Sequence, residues 1–242
     1  FDQQRTMTNN TTGHRIMVDY MEPITRRFRL KFQYRLDYFF GAQATSTYDG
    51  TPTGYDNYAG LYSNDFSNTR LENRGAIGIM YTDRKHTLEL GSRIRNVKID
   101  NINNEDNSVI KQDVDDLLPY LEYSYNAHQI RFVYSTSSNQ PSLDQLQPVR
   151  DNTDPNSLVV GNPELAPNFN HDLSINYNKW NALKYSYIYA GAYMTYIDNA
   201  FSNAIVYNPN GQSVSTAVNV DGNVYGGFYA GGGLPLYKKI LH

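Results

Sequence analysis

The sequence predicts an all-β chain, an antiparallel up-and-down meander of about 9–10 strands that forms a transmembrane β-barrel or part of a larger one. Three observations predict it. Residues 28–39, FRLKFQYRLDYF, alternate almost without exception between apolar and polar. The connections between such stretches alternate between short and long along the whole chain. Tyrosine and phenylalanine number 22 and 10, yet mean hydropathy is −0.61. No stretch approaches the roughly 20 apolar residues of a membrane-spanning helix.

The elements follow in order. HRIMVDYME (14–22) puts Ile16, Val18 and Tyr20 on one parity, and the first turn comes at Pro23, which lacks a ladder N–H. The second strand runs from Phe28 toward Thr47. Successive side chains of a strand point to opposite faces. Phe28, Leu30, Phe32, Tyr34, Leu36 and Tyr38 therefore share one face, and Arg29, Lys31, Gln33, Arg35 and Asp37 the other. Ten steps of roughly 3.3 Å, tilted by about 40–45°, rise about 25 Å, the height of a barrel's apolar band. The first set is expected to face lipid. Arg29, Lys31 and Arg35, with Glu89, Arg93 and Arg95 of a later strand, are expected to face a wet lumen.

A polar stretch (48–70) precedes RGAIGIMYT (74–82), the turn DRKH and TLELGSRIRNVKI (87–99). A second polar stretch (100–116) precedes strands at 117–125 and 129–137, joined by NAH (126–128). The connection 138–168 is the longest, and strands at 170–178 and 183–197 flank KWNA. A fourth long connection holds NPNGQS (208–213), and a ninth strand near 223–233 leads past Pro235 toward the start of a tenth in YKKILH. The short turns carry Arg26, Arg27, Arg84, Lys85, Lys179, Lys184, Lys238 and Lys239. Outer-membrane barrels place short turns on the periplasmic side and long loops outside.

Composition narrows the function. Net charge is −3 with no long basic run, which argues against a nucleic-acid partner. There is no cysteine, so disulfides and thiolate metal sites are excluded. The five histidines (14, 86, 128, 171, 242) lack zinc-site spacing, and no Gly-x-Ser-x-Gly elbow occurs. DNINNEDN and DVDD lack EF-hand spacing and read as solvated loops. GGFYAGGG (226–233) lacks the Lys-Ser/Thr of a phosphate loop, and its glycines suit bending or close approach of another segment. No catalytic residue, cofactor or metal is expected, and no enzyme.

Residues 137–178 carry Asn139 and Pro141, Gln145-Leu146 and Pro148, Asp151 and Asn156, then Gly161-Asn162-Pro163, Leu165 and Pro167 before the strand at His171–Tyr177. This pattern resembles the outer-membrane β-barrel family typified by TonB-dependent receptors, which more often have Arg where this chain has Gln140. DYMEPITRRFRLKFQYRLDY (19–38) resembles the family's strand, Pro turn, strand unit, and AVNVDGNVYG (217–226) its late Asn-x-Asp-Gly strand entry. The resemblance implies an internal piece of a plugged barrel of about 22 strands. FDQQRTMTNN has no initiator Met or signal peptide, KKILH has no terminal aromatic, and no plug or TonB box is recognised. The chain is thus expected to be a single barrel segment, 1–242. Implied partners are outer-membrane lipid, a scarce nutrient bound through loops and plug, and a TonB complex acting through the plug. Two alternatives stand beside this: a small closed outer-membrane barrel with a structural or adhesive role, and a soluble all-β binding module.

Overall fold

A computed structural model describes residues 2–235 apart from 106, 127, 128, 147–150 and 155. Its strands are β1 (Gln3–Pro23), β2 (Phe28–Thr51), β3 (Gly54–Tyr58), β4 (Asn64–Thr82), β5 (His86–Asn103), β6 (Val109–Tyr125) and β7 (Ile130–Asn139). There follow a one-turn helix α1 (Leu143–Leu146), then β8 (Asp151–Asp154), β9 (Ser157–Val160), β10 (Asn168–Asn181) and β11 (Ser186–Asp198). The last are β12 (Ala200–Tyr207), β13 (Ser213–Val220) and β14 (Asn223–Gly233). Among the described residues, the main sheet runs β1-β2-β4-β5-β6-β7-β10-β11-β14, with β3 paired to the end of β2. Neighbours on that path are antiparallel, and the sheet is an open arc whose outermost strands, β1 and β14, each have one neighbour. A second sheet, β12-β13-β9-β8, is built from what the sequence presented as loops.

The nine long strands of the arc stand where nine were expected. The tenth, with Lys238, Lys239 and His242, lies outside the described residues, as does His128 in the turn before β7. Strand ends differ more. β1 begins at Gln3 rather than near His14, and β4 already at Asn64, inside the expected loop 48–70. The loop expected over 100–116 shrinks to 104–108. These extensions lack apolar alternation because polar side chains zip them together: Gln3 Nε2 donates to Asp49 (2.6 Å), Asn104 Nδ2 to Asp65 (3.0 Å), and Asn68 to Asn101. The 198–222 connection is a hairpin, β12–β13, and not a loop.

The short turns are built from their own side chains. Asp83 Oδ1 accepts the N–H groups of Lys85 and His86, both at 2.7 Å, closing the β4–β5 reversal. Those backbone donors hold the Asp83 carboxyl below its ordinary range. A carboxylate depressed in the folded state contributes stability that is full above its unfolded pKa and is lost as pH falls through the folded value. Asp83→Asn is therefore expected to flatten the decline in unfolding free energy between neutral and strongly acidic pH, read from denaturant titrations at each pH. An unchanged slope would contradict the capping role.

The two faces of the arc are inverted relative to a soluble sheet. Ile94 and Leu117 each keep 64% of their surface exposed, and Ile16, Val18, Ile77 and Leu90 are also exposed. On the other face Asp37 keeps 1% and Arg95 5%. Side chains crowd on the concave side of a curved sheet and splay on its convex side, so the polar face is the concave one. Phe28, Tyr81, Leu88, Tyr123 and Phe132 are successive cross-strand neighbours on the convex face near the short turns. That aromatic row is the girdle expected where a barrel meets a membrane surface.

Candidate functional site: a charged wall beneath a cap

On the concave face, alternate residues of adjacent strands fall into rows. Nearer the short turns, Lys31 Nζ and the Tyr120 hydroxyl both reach Glu89 Oε1 at 3.0 Å, and the Arg93 guanidinium lies 4.7 Å from the Tyr120 ring centre. The Tyr120 ring covers Gly78 and Gly91: a Cβ on Gly91 would stand 2.6 Å from the ring and 2.5 Å from the Ile77 carbonyl oxygen. Glycine is required there because ring and backbone fill the space a side chain needs. The rings of Tyr187 and Tyr189 cover Gly233 and Gly231 in the same way, which accounts for two of the five glycines of GGFYAGGG.

Toward the long loops, Arg35, Arg74 and Arg95 stand opposite one another on β2, β4 and β5, with Asp116 next on β6. Like charges placed directly opposite repel. Carboxylates offset this: Asp37 takes Arg15 (2.5 Å) and Arg35, Glu72 takes Arg70 (2.7 Å) and Arg74, and Asp116 takes Arg95 (2.9 Å). Asp37 and Glu72 are nearly fully shielded, and each accepts from two guanidiniums, which compensates a buried carboxylate.

Of the residues expected to face a lumen, Lys31, Glu89 and Arg93 thus meet through Tyr120, while Arg35 and Arg95 join the arginine row. Arg29 stands apart, its guanidinium 4.0 Å from Met80 Sδ. Arg70, Glu72, Arg74, Asp116 and Tyr120 are members the sequence reading did not single out. The period-two spacing in RLENR (70–74) is the signal that could have found three of them. Of the residues expected to face lipid, Phe28, Phe32, Tyr34 and Tyr38 are exposed on the convex face, and Leu30 and Leu36 are half-buried on it. That face turns polar one row beyond Tyr34–Gly75–Ile94–Leu117, at Asn73, Asn96 and Asp115, but stays apolar through Leu36 and Tyr38 on β2. The slant is what strand tilt produces.

The long motif of residues 139–167 builds a cap at the long-loop end. Leu146, Leu165 and Ala217 form its buried core, against which Ile110 and Phe201 pack. Gln145 Oε1 accepts the Ser142 N–H (2.9 Å), and its carbonyl accepts the Asn162 N–H (2.7 Å). Asn162 Nδ2 donates to the Ala217 carbonyl at 2.9 Å, and the Asn156 carbonyl accepts the Ser213 N–H at 2.9 Å. Pro141 is buried, Gly161 and Pro167 are half-buried and Pro163 is exposed, while Pro148 lies outside the described residues. Asn219, of the late Asn-x-Asp-Gly, accepts the Ala166 N–H (2.8 Å) and donates to the carbonyls of Ala166 and Asn199 (both 2.9 Å). Asn219→Ala is expected to cost about 1–2 kcal/mol through these lost bonds. The readout is faster amide exchange confined to the cap; exchange unchanged at Ala166 would contradict it.

Among the described residues, no group of three or more His, Asp or Glu side chains is placed to hold a metal. What the wall offers is a water-facing row of fixed charges under a cap, with an apolar surface behind it.

Comparison with known proteins agrees with this architecture. A family model described as the outer membrane protein beta-barrel family matches residues 1–240. The copper transporter OprC superposes with a TM-score of 0.64 at 13% identity, covering 97% of this chain and 37% of that one. FpvAI, in its complex with pyocin S2, superposes with a TM-score of 0.57 at 12% identity, covering 98% of this chain and 32% of that one. The chain thus spans about a third of the length of either structure. No curated protein matches it.

Proposed function

The chain belongs to the outer membrane protein beta-barrel family, and we propose that it is part of the wall of a TonB-dependent receptor that takes up a scarce nutrient. It resides in the bacterial outer membrane, and its fold is that of barrels such as OprC and FpvAI. The observation that carries the reading is the inversion of the two faces. Aliphatic and aromatic side chains cover the convex face for lipid, and paired charges line the concave face for water. In the complete protein the remaining strands close the barrel, and a plug inside it couples solute release to an inner-membrane TonB complex. The wall makes and breaks no bond; its part is to enclose a polar path and to carry the cap and outer loops.

Two measurements test this. The DNA flanking the segment should encode a signal peptide and a plug-sized domain upstream, and further strands downstream. A signal peptide directly before Phe1 and a stop soon after His242 would instead make this a small closed barrel. Deleting the intact gene should reduce growth under iron or copper starvation, as deleting TonB does. Growth unaffected by the deletion under both limitations would contradict nutrient uptake.

A further inference from the structure

One pocket on the concave face lies where the arginine row of the wall meets the start of the cap. Pairing of β6 with β7 ends at Tyr120 and Ser135, one residue short of Pro119, which has no N–H to continue the ladder. Thr136 Oγ1 instead donates to the Pro119 carbonyl at 2.9 Å. Beyond this point β7 pairs with β10 alone, up to Asn139. A pocket of about 360 Å³ opens beneath the departing segment, lined by Arg70, Arg95, Gln112 and Gln140 among others.

Its polar groups are unevenly satisfied. Arg70 gives one terminal nitrogen to Glu72, and Arg95 donates one to the Ser138 carbonyl and holds the other 2.9 Å from Asp116 as an ion pair. Among the described residues, Arg70 Nε, Arg95 Nε, Gln140 Nε2 and Gln112 Oε1 are shut off from solvent without a partner. Within the lining that is three donors to one acceptor, and the unbonded carboxylate oxygen next to Arg95, Asp116 Oδ2, lies outside the lining. The surrounding cluster holds five guanidiniums, of Arg15, Arg35, Arg70, Arg74 and Arg95, against the carboxylates of Asp37, Glu72 and Asp116. Buried donors left unmade are costly, and guanidiniums recognise planar or tetrahedral oxyanions through several N–H groups at once.

We infer that this pocket is an oxyanion site, accepting a carboxylate or phosphate group. The group comes either from the transported solute or from an acidic side chain of the segment that fills the barrel. This deepens the transport reading and rests on it. Unlike a neutral guest, an oxyanion offsets the excess of positive charge around the pocket.

The test uses the full-length receptor in detergent, with citrate and inorganic phosphate as probes, and compares it with Gln112→Glu, which puts a carboxylate inside the pocket. If the solute supplies the oxyanion, the unaltered receptor binds a probe by calorimetry. Gln112→Glu then weakens that binding at least tenfold without lowering the melting temperature. If the protein's own acidic side chain supplies it, neither probe binds, and Gln112→Glu lowers the melting temperature by repulsion. No probe binding together with an unchanged or raised melting temperature overturns the inference. Starvation growth of the gene deletion is read separately. Anion binding without a growth defect would leave the site standing and remove the transport reading, and the reverse outcome would do the opposite.

Discussion

Replacing Phe32 by arginine is expected to cost about 2–4 kcal/mol of folding stability in lipid vesicles, while the same replacement at Gln33 costs little. Phe32 lies on the convex face between Ile77 and Tyr20, whose ring is 6.4 Å away centre to centre. A guanidinium there must shed water into hydrocarbon or bend back to the surface, and both are costly. Gln33 points to the other side, where its Nε2 donates to Asp19 at 2.6 Å. An arginine at 33 keeps that partner and gains charge complementarity. Equilibrium unfolding of the intact protein from vesicles measures both. Equal losses would mean that the two faces meet the same medium.

Glu72→Ala is expected to be nearly as damaging, by roughly 2–3 kcal/mol. Breaking a fully buried ion pair typically costs about 3–5 kcal/mol, because a charge is left behind unpaired. Here Arg70 and Arg74 keep 36% and 31% of their side chains exposed, so water recovers part of the loss. What remains is the repulsion along Arg35, Arg74 and Arg95, which Glu72 relieves from the next row. Glu72→Gln keeps the shape and removes the charge, so it should recover only the hydrogen-bonding share. A loss under about 0.5 kcal/mol for Glu72→Ala, the size of an ordinary surface change, would show that the carboxylate does not hold the row together.

The legible part of the fold was the part under two-sided constraint. From Phe28 to Tyr38 one face must be apolar and the other polar, and period two is visible without any knowledge of pairing. Beyond the apolar band both faces are polar, so Asn64–Arg70 and Asn101–Asn103 carry no alternation and read as loop. Their strand state comes from partners such as Asn68 with Asn101, which only the register reveals. The Tyr120 cover over Gly78 and Gly91 was hidden for the same reason, since three strands must be aligned before the ring meets its glycines. The motif of residues 139–167 was recognisable by resemblance. Its physical role, Leu146 against Leu165 and Ala217, depends on a hairpin more than fifty residues further on. The polar pocket depends on where β7 leaves β6, and Pro119 marks that point only once the pairing is known.

If the barrel reading holds, the convex face meets lipid and the concave face meets water along every strand of the arc. Residues 1–242 hold no cysteine, so a single cysteine placed among them has no competitor within this segment, and any cysteine elsewhere in the full-length protein is replaced by serine. Spin labels placed one at a time at positions 28 to 38 of the full-length protein in bilayers would report collisions with oxygen, which concentrates in lipid, and with a water-soluble nickel chelate. Oxygen accessibility is expected to peak at 28, 30, 32 and 34 and to fall at 29, 31, 33 and 35, with nickel never high at the even positions. Accessibility without a period of two, or with the parities exchanged, would contradict it.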